Sequence, residues 1–342
     1  DTDHFDNSVI LHEYGHFLED VYGKSESPGG SHNGDFIIDP RLAWSEGWAN
    51  YIQASIISDI YPTWVYYLDS IGYYSSPTDS TASYLVGVNL SSTPGGGVPD
   101  SPISSGEGLF REISISRTLF KSEIEEAVSF ADIWSAFNAM RTDSTFPFKN
   151  MGRFLQHLSL ASSASGNSGF SAVLTEEKQN ANTQHYGTGA VASGSSCLQS
   201  LVPVVDSYDS SGIPRSNLLK SNDFYKYYYD GSNDTLFINY STSSGTTQDL
   251  DLYVYSYTHH LSDEADIVAG RANDTLVKYD RRINALDAGV ATISMSGLPA
   301  GWYLVNIKAN TYGKISTQLN GTAQYQLKRT ISSTTENLCP SY

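Results

Sequence analysis

The spacing of apolar residues changes character near residue 200. Before that point apolar positions recur every three or four residues, the period of a helix with one buried face. The first such stretch is VILHEYGHFLEDVYG, residues 9–23. Val9, Ile10, Tyr14, Phe17, Leu18 and Val21 offer apolar surface, Asp6, Asn7 or Ser8 can cap the start, and Gly23 can end it. The second is DPRLAWSEGWANYIQASIISDIYP, residues 39–62, where Asp39 suits the N-cap, Pro40 the first helical position and Pro62 the far boundary. A loop-rich region follows and includes the Gly/Pro/Ser-rich residues 91–108. Helical spacing returns in EGLFREISISRTLFK, SFADIWSAFNAM, NMGRFLQHLSLA and GFSAVLTEEKQ. GTGAVASGSS, residues 187–196, reads as a linker. From about residue 201 the period becomes two, and DFYKYYYDG, TLFINYS, DLDLYVYSY, ATISMSG, GWYLVNIKA and AQYQLKRTI read as strands separated by turn residues. The predicted fold class is therefore α+β and multidomain, with a mainly helical portion over 1–195 and an antiparallel β-sandwich over 196–342.

Composition narrows the possibilities. The chain has 342 residues, enough for two domains, and 39% of them are hydrophobic. No apolar run approaches the ~20 residues that span a bilayer, and no signal peptide is recognisable. The net charge is −17. Residues 1–200 carry 9 Lys+Arg against 23 Asp+Glu, while residues 201–342 carry 11 against 14, so the acidity belongs to the helical half. That balance argues against nucleic acid, which needs a basic footprint; it suits a solvated acidic surface, cationic substrates or calcium. The two cysteines, Cys197 and Cys339, make no zinc motif but flank the β-rich region. A disulfide joining its two ends is expected, and with it an extracytoplasmic location.

The candidate chemistry starts on the first helix. His12 and His16 are four apart, share a face and can grip one ion. Glu13 lies about 100° further round, the general-base position of an H-E-x-x-H pattern. In the second helix Glu46 sits among Leu42, Ala43, Trp44, Trp48, Ala49 and Ile52. A carboxylate there costs free energy unless it is paired or bound to metal. His32 and Asp39 are rival third ligands.

HEYGH followed by LAWSEGWANY resembles the gluzincin group of zinc metallopeptidases, over about fifty residues. The wording around Glu46 is most similar to the aminopeptidase N-type branch, and thermolysin-like enzymes share the layout. The resemblance implies Zn2+ bound by His12, His16 and Glu46, with Glu13 as general base, in a zincin-type catalytic portion. One departure is the 29 residues between His16 and Glu46, lengthened by the Gly/Ser-rich residues 23–37. Metzincins need a further glycine and histidine where this chain has Glu19 and Tyr22, which excludes that group.

Such a site also needs an oxyanion donor. Tyr61, Tyr66, Tyr67, Tyr73, Tyr74 and Tyr84 follow the second helix, and His157 is a weaker candidate. Arg111 and Arg117 can bind a substrate carboxylate or pair with Glu107 or Glu112. Asn50 and Asp59 are candidate outer-shell partners of a ligand histidine. A zincin helix packs on a sheet that precedes it, and the eleven residues before His12 are too few for one. An upstream fragment of the same precursor is therefore an expected partner.

In the second half, DFYKYYY, QDLDLYVY and LPAGWYLVNI resemble the bacterial pre-peptidase C-terminal domain. Such domains follow secreted proteases, and the resemblance implies calcium or polymer binding as options. Asp249 and Asp251 are the candidate Ca2+ ligands, through hard oxygen atoms. The tyrosines of 225–229 either face a polymer or pack. The leading expectation is a secreted zinc endopeptidase acting on protein or peptide substrates. The alternatives are a non-catalytic calcium- or polymer-binding protein with a structural zinc, and a metallo-aminopeptidase.

Overall fold

The computed structural model describes residues 7–27, 29, 32, 38–72, 83–94, 106–143, 148–179, 190–201, 207–208, 214–215, 222–232, 234–242, 249–256, 276–280, 289–310 and 323–341. Its contacts divide into two compact units. The first comprises Asp1–Ser27, Ser31–Thr142 and Lys149–Asn180; the second comprises Ala181–Tyr342 with the short pieces Pro28–Gly30 and Asp143–Phe148.

The first unit is mainly helical. α1 (Asn7–Leu18) continues into a π-helical turn over Glu19–Gly23, and α2 (Pro40–Ile60) is the central element. Asp39 caps α2 as expected, its side chain accepting from the Arg41 backbone N–H at 2.8 Å. α2 is buried along 17 of its 21 residues. It is therefore an interior helix walled on all sides, not a surface helix with one apolar stripe. α3 (Glu112–Phe120), which runs on into a π-helical turn over Lys121–Glu125, α4 (Phe130–Thr142), α5 (Met151–Leu158) and α6 (Ser168–Glu176) complete the helices among the described residues. Trp48 stacks on Phe137 of α4 at 3.9 Å between ring centroids, and Trp44 lies 4.9 Å from Phe154 of α5. These aromatic contacts anchor one side of α2.

The sequence pattern missed one element here. Within the loop-rich region, β1 (Tyr66–Gly72) and β2 (Ser83–Asn89) form an antiparallel pair. Gln53 of α2 ties this hairpin to the helices. Its side-chain amide donates to the carbonyls of Ser8 and Leu68 and accepts from the Leu68 N–H, at 2.7–2.9 Å.

Two glycines set how closely the helices approach. A Cβ at Gly15 would lie 2.7 Å from the Ala49 Cα, and one at Gly47 would lie 2.6 Å from the Ile115 side chain and 2.8 Å from the Glu112 carbonyl oxygen. On an exposed helix, glycine to alanine stabilises by up to ~1 kcal/mol. At Gly15 the obstruction is backbone and cannot rotate away. Gly15→Ala is therefore expected to destabilise the protein, by about 1–3 kcal/mol. Chemical denaturation decides the sign; a gain in stability would contradict the close crossing.

The second unit is β-structure. The strands are β3 (Ala190–Gly194), β4 (Gln199–Leu201), β5 (Ser207–Tyr208), β6 (Pro214–Arg215), β7 (Asn222–Tyr229), β8 (Asp234–Thr242), β9 (Asp249–Ser256), β10 (Leu276–Asp280), β11 (Gly289–Ser294), β12 (Gly301–Asn310), β13 (Ala323–Ile331) and β14 (Thr334–Ser341). β5 and β6 pair only with each other. The main path is β10-β9-β12-β7-β3-β14-β13-β8-β11, with β4 also on β13. It is antiparallel except where β3 meets β7. β10 and β11, the two ends of the path, lie against each other, so the sheet is nearly closed.

The antiparallel architecture is the expected one, but its two halves are joined. The segment read as a linker contains β3, which pairs with β14 on one side and β7 on the other. Its Gly/Ser composition hid the strand, because its hydrogen bonds come from β14, more than 140 residues away in sequence. Cys197 and Cys339 form the expected disulfide, with Cα atoms 5.4 Å apart. Tyr225, Tyr227 and Tyr229 pack in the core with Leu236, Ile238, Leu252 and Val305. Their hydroxyls go to Tyr325, Asp234 and the Ser232 carbonyl respectively. Of the tyrosines in 225–229, only Tyr228 is exposed, edge-on to the exposed Trp302.

Candidate metal centre

α1 presents His12 and His16 one turn apart, and α2 crosses it at the Gly15–Ala49 contact. Glu46 sits three residues before Ala49 on α2 and faces the same gap. The His12 and His16 Nε2 atoms are 3.1 Å apart, and Glu46 Oε2 lies 3.3 Å from each. A tetrahedral ion with ligands at about 2.0–2.1 Å separates its donors by roughly 3.3–3.4 Å. The three atoms therefore already stand at the edge lengths of a metal polyhedron. Two imidazoles and one carboxylate are also a donor set that suits zinc. Among the described residues, no other group of His, Cys, Asp or Glu gathers donors in this way.

The surroundings hold these side chains in place. The Ser45 hydroxyl donates to Glu19 Oε2 at 2.5 Å and lies 3.2 Å from His16 Nδ1. This Glu19–Ser45–His16 chain orients the ring through its far nitrogen, as outer-shell partners do. Sequence reasoning missed it; the only signal was an acidic residue one turn beyond His16. His12 Nδ1 and both amide atoms of Asn50 are buried without a hydrogen-bond partner. Glu13 is exposed, and its charge acts on His16.

The rival ligands fall elsewhere. Asp39 pairs with Arg41, accepting from its backbone N–H, Nε and Nη2 at 2.8–3.0 Å. His32 lies beside the group but outside it, with Nε2 3.6 Å from Glu46 Oε1 and Nδ1 2.9 Å from Glu112 Oε2. Among the described tyrosines Tyr67 comes near, its ring 6.1 Å from that of His12, while Tyr61 and Tyr66 are exposed. Tyr73, Tyr74 and the side chain of Tyr84 lie outside the described residues. Arg117 makes a two-pronged ion pair with Glu177, not with Glu107 or Glu112. Arg111 is buried, and His157 lies on α5. Asp59 acts on Tyr51 and Glu123, not on a ligand histidine. In the β-unit, the buried Asp251 accepts from the Tyr253 hydroxyl at 3.2 Å, and the Asp249 side chain lies outside the described residues.

Burial and mutual charge shift the titration of the site's side chains in opposite directions. Burial lowers the His16 pKa, but the hydrogen bond and charge of Glu46, with the charges of Glu19 and Glu13, outweigh it and leave it raised above 6.5. Burial raises Glu46, but hydrogen bonds from His12 and His16 and the charges of His32 and His16 hold it well below the usual carboxylate range. Burial pushes Glu19 up to about 7, against the opposing Ser45 hydrogen bond and the His16 charge.

The folded-state value of Glu19, about 7, lies above the 4.5 of an unperturbed glutamate. Its contribution to stability is therefore complete below 4.5 and lost as pH rises through about 7. Glu19→Gln should stabilise the metal-free protein little at pH 5 and by about 3 kcal/mol at pH 8. Denaturation of both proteins at the two pH values checks this; an equal difference at both would contradict it.

No family model matches the sequence, and no curated protein matches it. Among solved structures, part of the chain is distantly similar to the pre-peptidase C-terminal domain of a collagenase from Bacillus anthracis. That match has 13% identity, 42% of this chain, 90% of that domain and a TM-score of 0.20. Another is PliG, a periplasmic inhibitor of g-type lysozyme from Aeromonas hydrophila, with 12% identity, 41% of this chain, 88% of that protein and a TM-score of 0.22. Neither likeness is close enough to bear on function. Fold and site together describe a helical unit with a His–His–Glu group able to hold a metal ion, followed by a disulfide-closed β-unit.

Proposed function

We propose that the chain is a secreted zinc metallopeptidase of the endopeptidase type. The observation that carries this reading is the spacing of His12 Nε2, His16 Nε2 and Glu46 Oε2, 3.1–3.3 Å apart across two helices. Bound there, zinc would polarise a peptide carbonyl and lower the pKa of a coordinated water toward ~7.

The chain's own residues supply the rest. Glu13 stands one position from His12, in line with neither ligand, on the solvent-facing side of α1. From there its carboxylate would serve as the general base, taking a proton from water and passing it to the leaving amine. The Ser45–Glu19 pair holds the His16 ring from behind. The disulfide supports a location outside the reducing cytoplasm, and no described helix is long and apolar enough to cross a membrane.

The test uses the full chain with zinc restored. Internally cleaved, N-blocked peptides should be hydrolysed, and activity should vanish with a chelator and return with zinc. Turnover confined to peptides with a free N-terminus would make it an aminopeptidase. Stoichiometric zinc with no turnover of any peptide would leave a structural metal and sink the catalytic reading.

A further inference from the structure

Glu46 has two carboxylate oxygens, and the histidine pair uses only one of them. Oε2 faces His12 and His16 at 3.3 Å. Oε1 lies 3.6 Å from Nε2 of His32, while Nδ1 of the same ring lies 2.9 Å from Oε2 of Glu112. The His32 ring is thus bracketed between two carboxylates. Both of those are buried, with side chains 11% and 5% exposed, whereas His32 itself is 35% exposed. Glu112 opens α3, which packs against α2 where Gly47 follows Glu46. The anchor therefore stands on a rigid helix contact.

We propose that His32 is a positioning residue, held by Glu112, that engages Oε1 of Glu46 so that this side chain offers the ion a single oxygen. The proposal rests on the metal reading of the site. The physical need is plain. The terminal torsion of a glutamate is broad and nearly two-fold. A carboxylate left free can turn and chelate through both oxygens. That would fill the open position a catalytic zinc must keep. Ligating carboxylates are accordingly hydrogen-bonded by outer partners. At 3.6 Å the His32 contact is an ion-pair distance, slightly beyond hydrogen-bond reach. His32 is not itself a ligand, since its nitrogens fall outside the mutually close donor group. The bland account is that His32 merely satisfies the buried Glu112. The two accounts differ over which ring nitrogen matters.

Amide side chains separate them. The asparagine amide nitrogen stands near the place of Nδ1, and that of glutamine near Nε2. His32→Asn keeps the Glu112 contact and loses Glu46; His32→Gln does the reverse. The readouts are zinc affinity, by competition with a chromophoric chelator, and the visible spectrum of the cobalt-substituted protein. His32→Asn is expected to weaken zinc binding by about 10–100-fold and to lower cobalt absorbance toward that of a higher coordination number. His32→Gln should stay within about threefold of the parent in affinity, by the same outer-shell scale. Glu112→Gln, which leaves the ring in place, should fall between the two. Metal-free thermal midpoints verify that each variant is folded. Unchanged affinity and spectrum in His32→Asn, or loss in His32→Gln with retention in His32→Asn, overturns the proposal. A parent chain that binds one zinc while His32→Asn is unaffected defeats this inference alone. A parent that binds none defeats the metal reading beneath it.

Discussion

Glu13→Gln is expected to lower peptide hydrolysis by about 10²–10⁴-fold, the usual range for loss of a positioned general base, with zinc still bound. The substitution keeps shape and removes only the proton acceptor. Glu13 is exposed, so the change leaves no buried group unpaired. It also stands outside the three-residue donor group, so metal content should not change. Its carboxylate is nonetheless close enough to act on His16 electrostatically. The check is kcat/KM alongside metal analysis of the same preparation. Undiminished hydrolysis with zinc in place would remove Glu13 from the chemistry.

Glu46→Ala has the other large effect. It deletes the only donor supplied by α2 and leaves two imidazoles on α1. The loss of zinc affinity should exceed the 10–100-fold typical of outer-shell substitutions, and activity should fall with it. The metal-free protein should suffer too, with a defined pH dependence. The Glu46 pKa is depressed in the folded state by His12 and His16, outweighing burial. Its contribution to stability is thus present above 4.5 and lost as pH falls. Glu46→Ala should therefore destabilise at neutral pH and progressively less in acid. Competition titration with a chelator and denaturation at several pH values measure the two effects separately. Retained zinc affinity would exclude Glu46 as a ligand.

The site was partly legible because its signals are local. Two histidines four apart need only a helix to share a face, and the apolar spacing of residues 9–23 announced one. Asp39-Pro40 announced the start of α2, and the cap formed as read. A carboxylate among tryptophans was conspicuous because burial there has a cost. What lay hidden depends on pairing across sequence. The Ser45–Glu19 bond spans 26 residues and the His32–Glu112 contact spans 80. Neither separation has a periodic signature. Glu112 looked like an arginine partner because Arg111 and Arg117 stand near it in sequence; Arg117 in fact pairs with Glu177, 60 residues on.

The β-unit shows the same division. The tyrosine-rich alternation of 222–229 identified β7, and the burial of alternate tyrosines follows from period two. β3 was invisible because a short Gly/Ser-rich segment becomes a strand only when β14 supplies its hydrogen bonds. The β1–β2 hairpin likewise draws support from Gln53, a polar residue inside a helix whose role no local pattern discloses.

Anomalous diffraction at the zinc edge, on crystals of the zinc-loaded chain, tests the centre most directly. One strong peak should lie within about 2.0–2.2 Å of His12 Nε2, His16 Nε2 and a single oxygen of Glu46. A zinc peak bound elsewhere, or a saturated crystal with no peak between these side chains, would contradict the account.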